Sequence, residues 1–238
     1  MSVNGPDSIS ACEGWIEVGR SVSVPAGAAA GTAIQTLTDL NTDAPAMTFT
    51  NGTGANQALY QTDVLAHVSF DGISDFYDTA GPITFTGGFA IAMIVRTDAV
   101  ATNQIFVGHS ANGNKVGIVG SSWFIRTVDL AASNNAIAYA GGTDWTYIIY
   151  ARDAADAVTL QVDGATATAV NTQAGNSIWE RIGSDGGGLF MPGDIAFAAF
   201  FDGALTAAQA TDVNDYMRWL LNRDRQASGW QWEGRRTG

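Results

Sequence analysis

The stretch VTLQVDGATATAV, residues 158–170, reads as a β-hairpin from its residues alone. Val158, Leu160 and Val162 alternate with Thr159 and Gln161, the period-two pattern of a strand with one buried face. Asp163-Gly164 follows, a dipeptide whose tolerance of positive φ suits a tight turn matched to the twist of its flanking strands. Residues 165–170 are the return strand.

The same alternation recurs on either side. Upstream, Phe89, Ile91, Met93 and Val95 alternate with Ala90, Ala92, Ile94 and Arg96, which predicts a strand buried on one face and half-covered on the other. Residues 104–108 and 115–119 flank Ser110-Ala-Asn-Gly-Asn114, a run of turn formers, and predict a second hairpin. Residues 123–128 and 145–152 are further strands. Downstream, residues 195–201 place Phe197 and Phe201 on one face and Phe200 on the other, and the glycine-rich 183–188 is a loop between two β segments. A single helix is predicted over 207–222. Thr206 and Gln209 form a capping box there, whose cap contributes about 1 kcal/mol, and Val213, Tyr216, Met217 and Leu220 make one apolar stripe that packs on the sheets. Many short strands, turns about every 8–12 residues and one late helix predict an all-β fold, a two-sheet antiparallel sandwich with one C-terminal helix.

Composition supports a packed core. Of 238 residues, 46% are hydrophobic and 14% charged, far from the profile of a disordered chain. The net charge of −12 repels phosphate backbones, so nucleic acid is not an expected partner. That charge is uneven: residues 218–238 hold five arginines against Asp224 and Glu233, a local +3 on an otherwise acidic body. No run of about 18 apolar residues occurs, so no membrane partner is expected. The opening MSVNGPDSIS has neither a basic stretch nor an apolar run, and no secretory signal is expected. Three segments follow: 1–34, an N-terminal arm or extra strands; 35–222, the sandwich with its closing helix; and 223–238, a basic, tryptophan-containing C-terminal tail.

In order and spacing these elements resemble the concanavalin A-like lectin/glucanase family of laminin G-like jelly rolls, of the kind found in bacteriophage structural proteins. Phe70-Asp71-Gly72-Ile73-Ser74-Asp75-Phe76 resembles the family's opening Phe-Asp-Gly motif. Asp144-Trp145-Thr146-Tyr147 is similar to its tryptophan-bearing strand, with Trp145 in the core position. Gly193-Asp194-Ile195-Ala196 and Asp202-Gly203-Ala204-Leu205-Thr206 look like its last strand and closing helix, and Thr38-Asp39-Leu40-Asn41 with Pro45 looks like the loop before Phe-Asp-Gly. The resemblance spans roughly residues 35–222. It implies two antiparallel sheets in a jelly roll and carbohydrate or protein binding, and fold alone does not fix which.

Catalytic chemistry is not expected. The family's glucanases carry Glu-x-Asp-x-x-Glu on a strand, because retaining hydrolysis needs two carboxylates about 5 Å apart. Glu13, Glu17, Glu180 and Glu233 are the only glutamates, and none forms that motif. His67 reads as a satisfied strand residue, His109 as a surface one, and Cys12 has no histidine nearby in sequence. Calcium is the one cofactor the resemblance suggests. Asp71, Asp75 and Asp185 are candidate Ca2+ ligands, although turn capping is the preferred reading, since a hard cation wants about 6–8 oxygens. Sugar binding uses aromatic platforms beside polar loops, and Trp123, Tyr139 and Trp179, with Asp185 in the glycine loop, are the candidates. Arg223, Arg225, Trp230, Trp232, Arg235 and Arg236 combine the residue types favoured at interface hot spots and are the candidate assembly surface.

The expected function is therefore a non-catalytic structural or binding module of a phage-like particle: a capsid decoration, head spike or fibre component. Its partners would be other virion proteins and copies of itself, with surface glycans as a further contact. It would be assembled in a host cytoplasm and carried in the virion. The alternatives are a free, calcium-assisted carbohydrate-binding lectin and, behind it, a glycan hydrolase with an atypical acid pair.

Overall fold

The computed structural model describes residues 5–9, 11–20, 27–41, 47–63, 65–97, 103–109, 113–119, 122–126, 135–138, 144–172 and 175–227, with backbone alone over 135–138, 166–172 and 224–227. Within them, sixteen strands and one helix follow in chain order. The strands are β1 (Cys12–Glu17), β2 (Thr36–Leu37), β3 (Phe49–Thr50), β4 (Leu59–Gln61), β5 (His67–Asp71), β6 (Tyr77–Phe85), β7 (Phe89–Thr97) and β8 (Gln104–Gly108), then β9 (Lys115–Val119), β10 (Ser122–Arg126), β11 (Asn135–Ala138), β12 (Thr146–Arg152), β13 (Ala157–Val162), β14 (Ala165–Thr172), β15 (Ser177–Ile182) and β16 (Pro192–Asp202). The helix is α1 (Ala207–Ala227).

The strands make two antiparallel sheets. The first runs β14-β13-β12-β7-β16-β5-β4, with β1 also on β16; the second runs β11-β10-β9-β8-β15-β6-β3-β2. The fold is an all-β, two-sheet antiparallel sandwich with one C-terminal helix. Strand β16 is its pivot. One edge pairs along β7, while the other is shared: Pro192–Ile195 takes β5, and the stretch from Phe197 to Phe201 takes β1. The register against β7 shifts between Ile195 and Phe197, where one partner hands over to the other.

Alternation explains the core. Phe89, Ile91, Met93 and Val95 of β7 point between the sheets with Phe106, Trp179 and Phe200. Ala90, Ala92 and Ile94 point the other way, onto a second cluster with Trp15, Phe197, Phe201 and the helix residues Val213, Tyr216, Met217 and Leu220. On the face expected to be half-covered, Ala90, Ala92 and Ile94 are buried and Arg96 stays partly exposed. Small side chains at Ala90, Ala92, Ala196 and Ala199 let α1 sit close, and each large apolar side chain buried there contributes about 1.5–3 kcal/mol.

Local signals are realised in detail. Asp163 (φ 51) and Gly164 (φ 81) turn β13 into β14, opposing Val162 to Ala165. Thr206 N–H donates to Gln209 Oε1 at 2.9 Å and Gln209 N–H to Thr206 Oγ1 at 3.3 Å, closing the capping box. The helix runs past the expected residue 222 to Ala227. The strand expected over 123–128 is Ser122–Arg126, with 127 and 128 outside the described residues. Within segment 1–34, read as an arm or extra strands, β1 is hydrogen-bonded inside the first sheet and carries core residues of both clusters.

Candidate functional site

Most of the expected site residues have other work. Trp123 is 3% exposed and packs against Phe106 at 6.0 Å, and Trp179 is fully buried, 5.6 Å from Phe89. Neither can stack on a sugar; both sit at inward positions of their strands, Trp123 sharing a face with buried Ile125. Asp185 is also buried. Its Oδ2 takes the Lys115 ammonium at 2.7 Å, and its Oδ1 accepts from Gly187 and Leu189 N–H, so it braces the glycine loop instead of facing a ligand. Burial opposes its ionisation, but these partners outweigh burial and hold its carboxyl below the usual carboxylate range. Tyr139 lies outside the described residues.

Asp71 and Asp75 are brought together, with three of their four carboxylate oxygens accepting within the turn. Asp71 Oδ1 accepts from Ile73, Ser74 and Asp75 N–H, and Oδ2 from the Ser74 hydroxyl; Asp75 Oδ2 accepts from Asp71 N–H. Two carboxylates so engaged do not fit a cation that wants about 6–8 free oxygens. His67 is buried in β5, its Nδ1 2.6 Å from the Leu65 carbonyl and its ring edge-on to Trp145. His109, expected at the surface, is instead 7% exposed and 3.5 Å from Glu180. Of the expected assembly residues, Arg223 turns inward to Glu17 at 3.0 Å and lies over the Trp219 ring. The Arg225 side chain and Trp230, Trp232, Arg235 and Arg236 lie outside the described residues.

The site that the fold does build begins at β1. A register shift between Cys12 and Gly14 bulges the strand at Glu13. Asp39 clamps it there: Oδ1 accepts from Trp15 N–H at 2.9 Å and Asn41 N–H at 2.8 Å, and Oδ2 from Met47 N–H at 2.7 Å. Asn41 Nδ2 donates to the Cys12 carbonyl, and Gly14 leaves the room, since a Cβ there would lie 2.7 Å from both Asp39 Oδ2 and Met47 Cβ. Asp202, at the end of β16, donates its N–H to the Ala11 carbonyl at 2.8 Å.

These contacts seat Glu13 and Asp202 on one side of a groove of about 330 Å³ that opens between the sheets. Across from them β6 supplies Thr79, Gly81, Ile83 and Thr84, and Thr48 precedes β3. Met47 and Phe85, both buried, form an apolar floor. Thr79 donates its hydroxyl within its own sheet, to the Gly81 carbonyl at 2.7 Å or the Glu180 carbonyl at 3.2 Å, leaving the oxygen free to accept. Carboxylates accept only, threonine hydroxyls accept and donate, and no arginine, lysine or histidine is among the described residues lining the groove. Its volume falls at the lower end of the range for small-molecule sites, about 300–1,000 Å³. Glu13 and Asp202 were not expected to share a site, because no local pattern links them; only the pairing of β1 with β16 does so.

On the opposite face of β1 a second carboxylate is fully enclosed. Glu17 is 2% exposed; its Oε2 accepts from the Tyr216 hydroxyl at 2.6 Å and its Oε1 from Arg223 at 3.0 Å, with Arg20 at 3.8 Å. Burial, reinforced by the Glu17 charge, pushes the Tyr216 phenol well above its ordinary value.

No family model matches the chain, and no curated protein matches it. Among solved structures it is similar to domain 4 of AbnA, an extracellular GH43 arabinanase from Geobacillus stearothermophilus in complex with arabinotriose: 14% identity, covering 85% of this chain and 98% of that one, TM-score 0.60. It is similar also to Trypanosoma rangeli sialidase in complex with sialic acid, at 11% identity over 92% of this chain and 34% of that one, TM-score 0.56. A third likeness is to botulinum neurotoxin type C, at 10% identity over 92% of this chain and 53% of that one, TM-score 0.56. At such identities the likeness shows the fold: a β-sandwich shared with whole or partial chains of these proteins.

Proposed function

We propose that this chain is a non-catalytic glycan-binding module whose ligand lies in the groove between Glu13 and Thr84. The observation that carries this reading is the composition of the groove, hydrogen-bonding oxygens of two kinds around an apolar floor. A sugar ring offers the complement, a rim of hydroxyls and a C–H face. Support comes from the similar sandwiches: the arabinanase domain is described with arabinotriose, the sialidase with sialic acid, and the neurotoxin by its interaction with gangliosides.

A binding role is favoured over hydrolysis on physical grounds. A general acid needs a desolvated carboxyl whose proton is retained near neutral pH. Asp202 is exposed and Glu13 half-exposed, so water solvates both. The test is binding to a glycan array followed by calorimetry on the hits, with reducing-sugar release measured in parallel. Glu13→Gln with Asp202→Asn is expected to weaken binding about tenfold or more, for the loss of two charge-assisted acceptors. Array binding that survives the double variant unchanged would remove the groove as the site, and sugar release lost in that variant would make the chain an enzyme.

A further inference from the structure

We infer that the groove selects uncharged glycans and rejects those carrying a carboxylate, such as sialylated or uronic-acid-bearing chains. The inference rests on the glycan-binding reading and adds the ligand class. Two carboxylates, Glu13 and Asp202, line the groove, and none of its other described lining residues is basic. A sugar carboxylate entering it would meet two like charges, with no guanidinium or ammonium among the described lining residues to offset them.

Among the described residues, neighbouring basic groups are engaged elsewhere. Arg181, on β15 beside β6, is held by Asp78 at 2.6 and 2.9 Å, and Asp78 lies on the face of β6 opposite to Thr79. Arg20 and Arg223 are drawn to Glu17 on the far face of β1. Beyond contact range the body is itself acidic, at −12 overall, so the approach of an anion is also slowed.

A paired glycan array followed by calorimetry tests this. Lactose, N-acetyllactosamine and arabinotriose are compared with sialyllactose, sialyl-N-acetyllactosamine and a galacturonic acid trisaccharide, on the wild type and on Glu13→Gln/Asp202→Asn. The expected result is binding of uncharged members, with acidic counterparts about tenfold weaker or more, a gap that narrows in the double variant and with added salt. Thermal unfolding of the variant, expected to match the wild type, separates lost selectivity from lost fold. Acidic glycans bound as tightly as uncharged ones, or a gap unchanged in the double variant, would overturn the inference and leave the glycan-binding reading standing. No binding to either set would overturn both.

Discussion

Glu13 and Glu17 share strand β1 and meet opposite fates. Strict alternation would put both on one face of the sheet. The bulge between Cys12 and Gly14 breaks that alternation, so Glu13 lines the groove between the sheets while Glu17 turns to the helix. Glu17 is enclosed and every nearby donor is aimed at it: Tyr216, Arg223 and Arg20. Glu13 keeps water and stands beside hydroxyls and a second carboxylate. One glutamate holds β1 to α1 and the other lines an open groove. The same residue type, a few positions apart, is structural where partners converge and available where they do not.

The comparison can be broken most forcefully at the packing beneath Glu17. Trp15 contacts Phe197 and stands edge-on to Tyr216 at 5.9 Å. Trp15→Ala is expected to cost about 3–5 kcal/mol in denaturant unfolding; a cost under 1 kcal/mol would mean that β1 does not depend on the helix side. Next in size is Glu17→Ala. It leaves a buried phenol without its acceptor and removes the carboxylate that Arg223 meets at 3.0 Å, a loss of about 2–3 kcal/mol. Glu17→Gln, which keeps an acceptor for Tyr216, should recover part of it, and equal losses in the two variants would show the hydrogen bond to be unimportant.

Cys12 sharpens the comparison through pH. Burial, with the Asp39 charge next, pushes its thiol up to about 12, whereas an unfolded thiol ionises near 8.5. Between those values the unfolded state releases the proton first, so stability should fall as pH rises above about 8.5. Cys12→Ser should flatten that part of the profile, and rapid alkylation of the folded protein at pH 8 would show that β1 opens on its own. The smallest effect belongs to Glu13→Gln, expected to change stability by less than about 0.5 kcal/mol while weakening glycan binding. A loss as large as that of Glu17→Ala would erase the distinction between the two residues.

Much of the fold was legible because its signals are local. Alternation marked β7, β12 and β13, Asp163-Gly164 marked the hairpin turn, and Thr206 with Gln209 marked the start of the helix; each depends on residues within a turn or a strand of one another. The candidate site was not legible. Trp123 and Trp179 stand near loops in sequence, and loop proximity suggested exposure, yet strand parity sends both inward; the shared parity of Trp123 with Ile125 was the signal that could have shown it. Asp185 looked like a free loop acid until Lys115, distant in sequence, arrived beside it. Strand β1 reads as irregular, because its bulge and glycine interrupt the period.

Which segments are strands, where they turn and where the helix starts were thus written in the chain itself, because backbone conformation answers to near neighbours and to the apolar period. Which face each carboxylate occupies was decided only in the tertiary structure. The exposure of Glu13, Glu17 and Asp202 depends on β1 pairing with the end of β16 and on α1 covering one side of that pair. Those contacts join residues from opposite ends of the chain, and the desolvation, hydrogen bonds and charge they impose exist only once both ends have met.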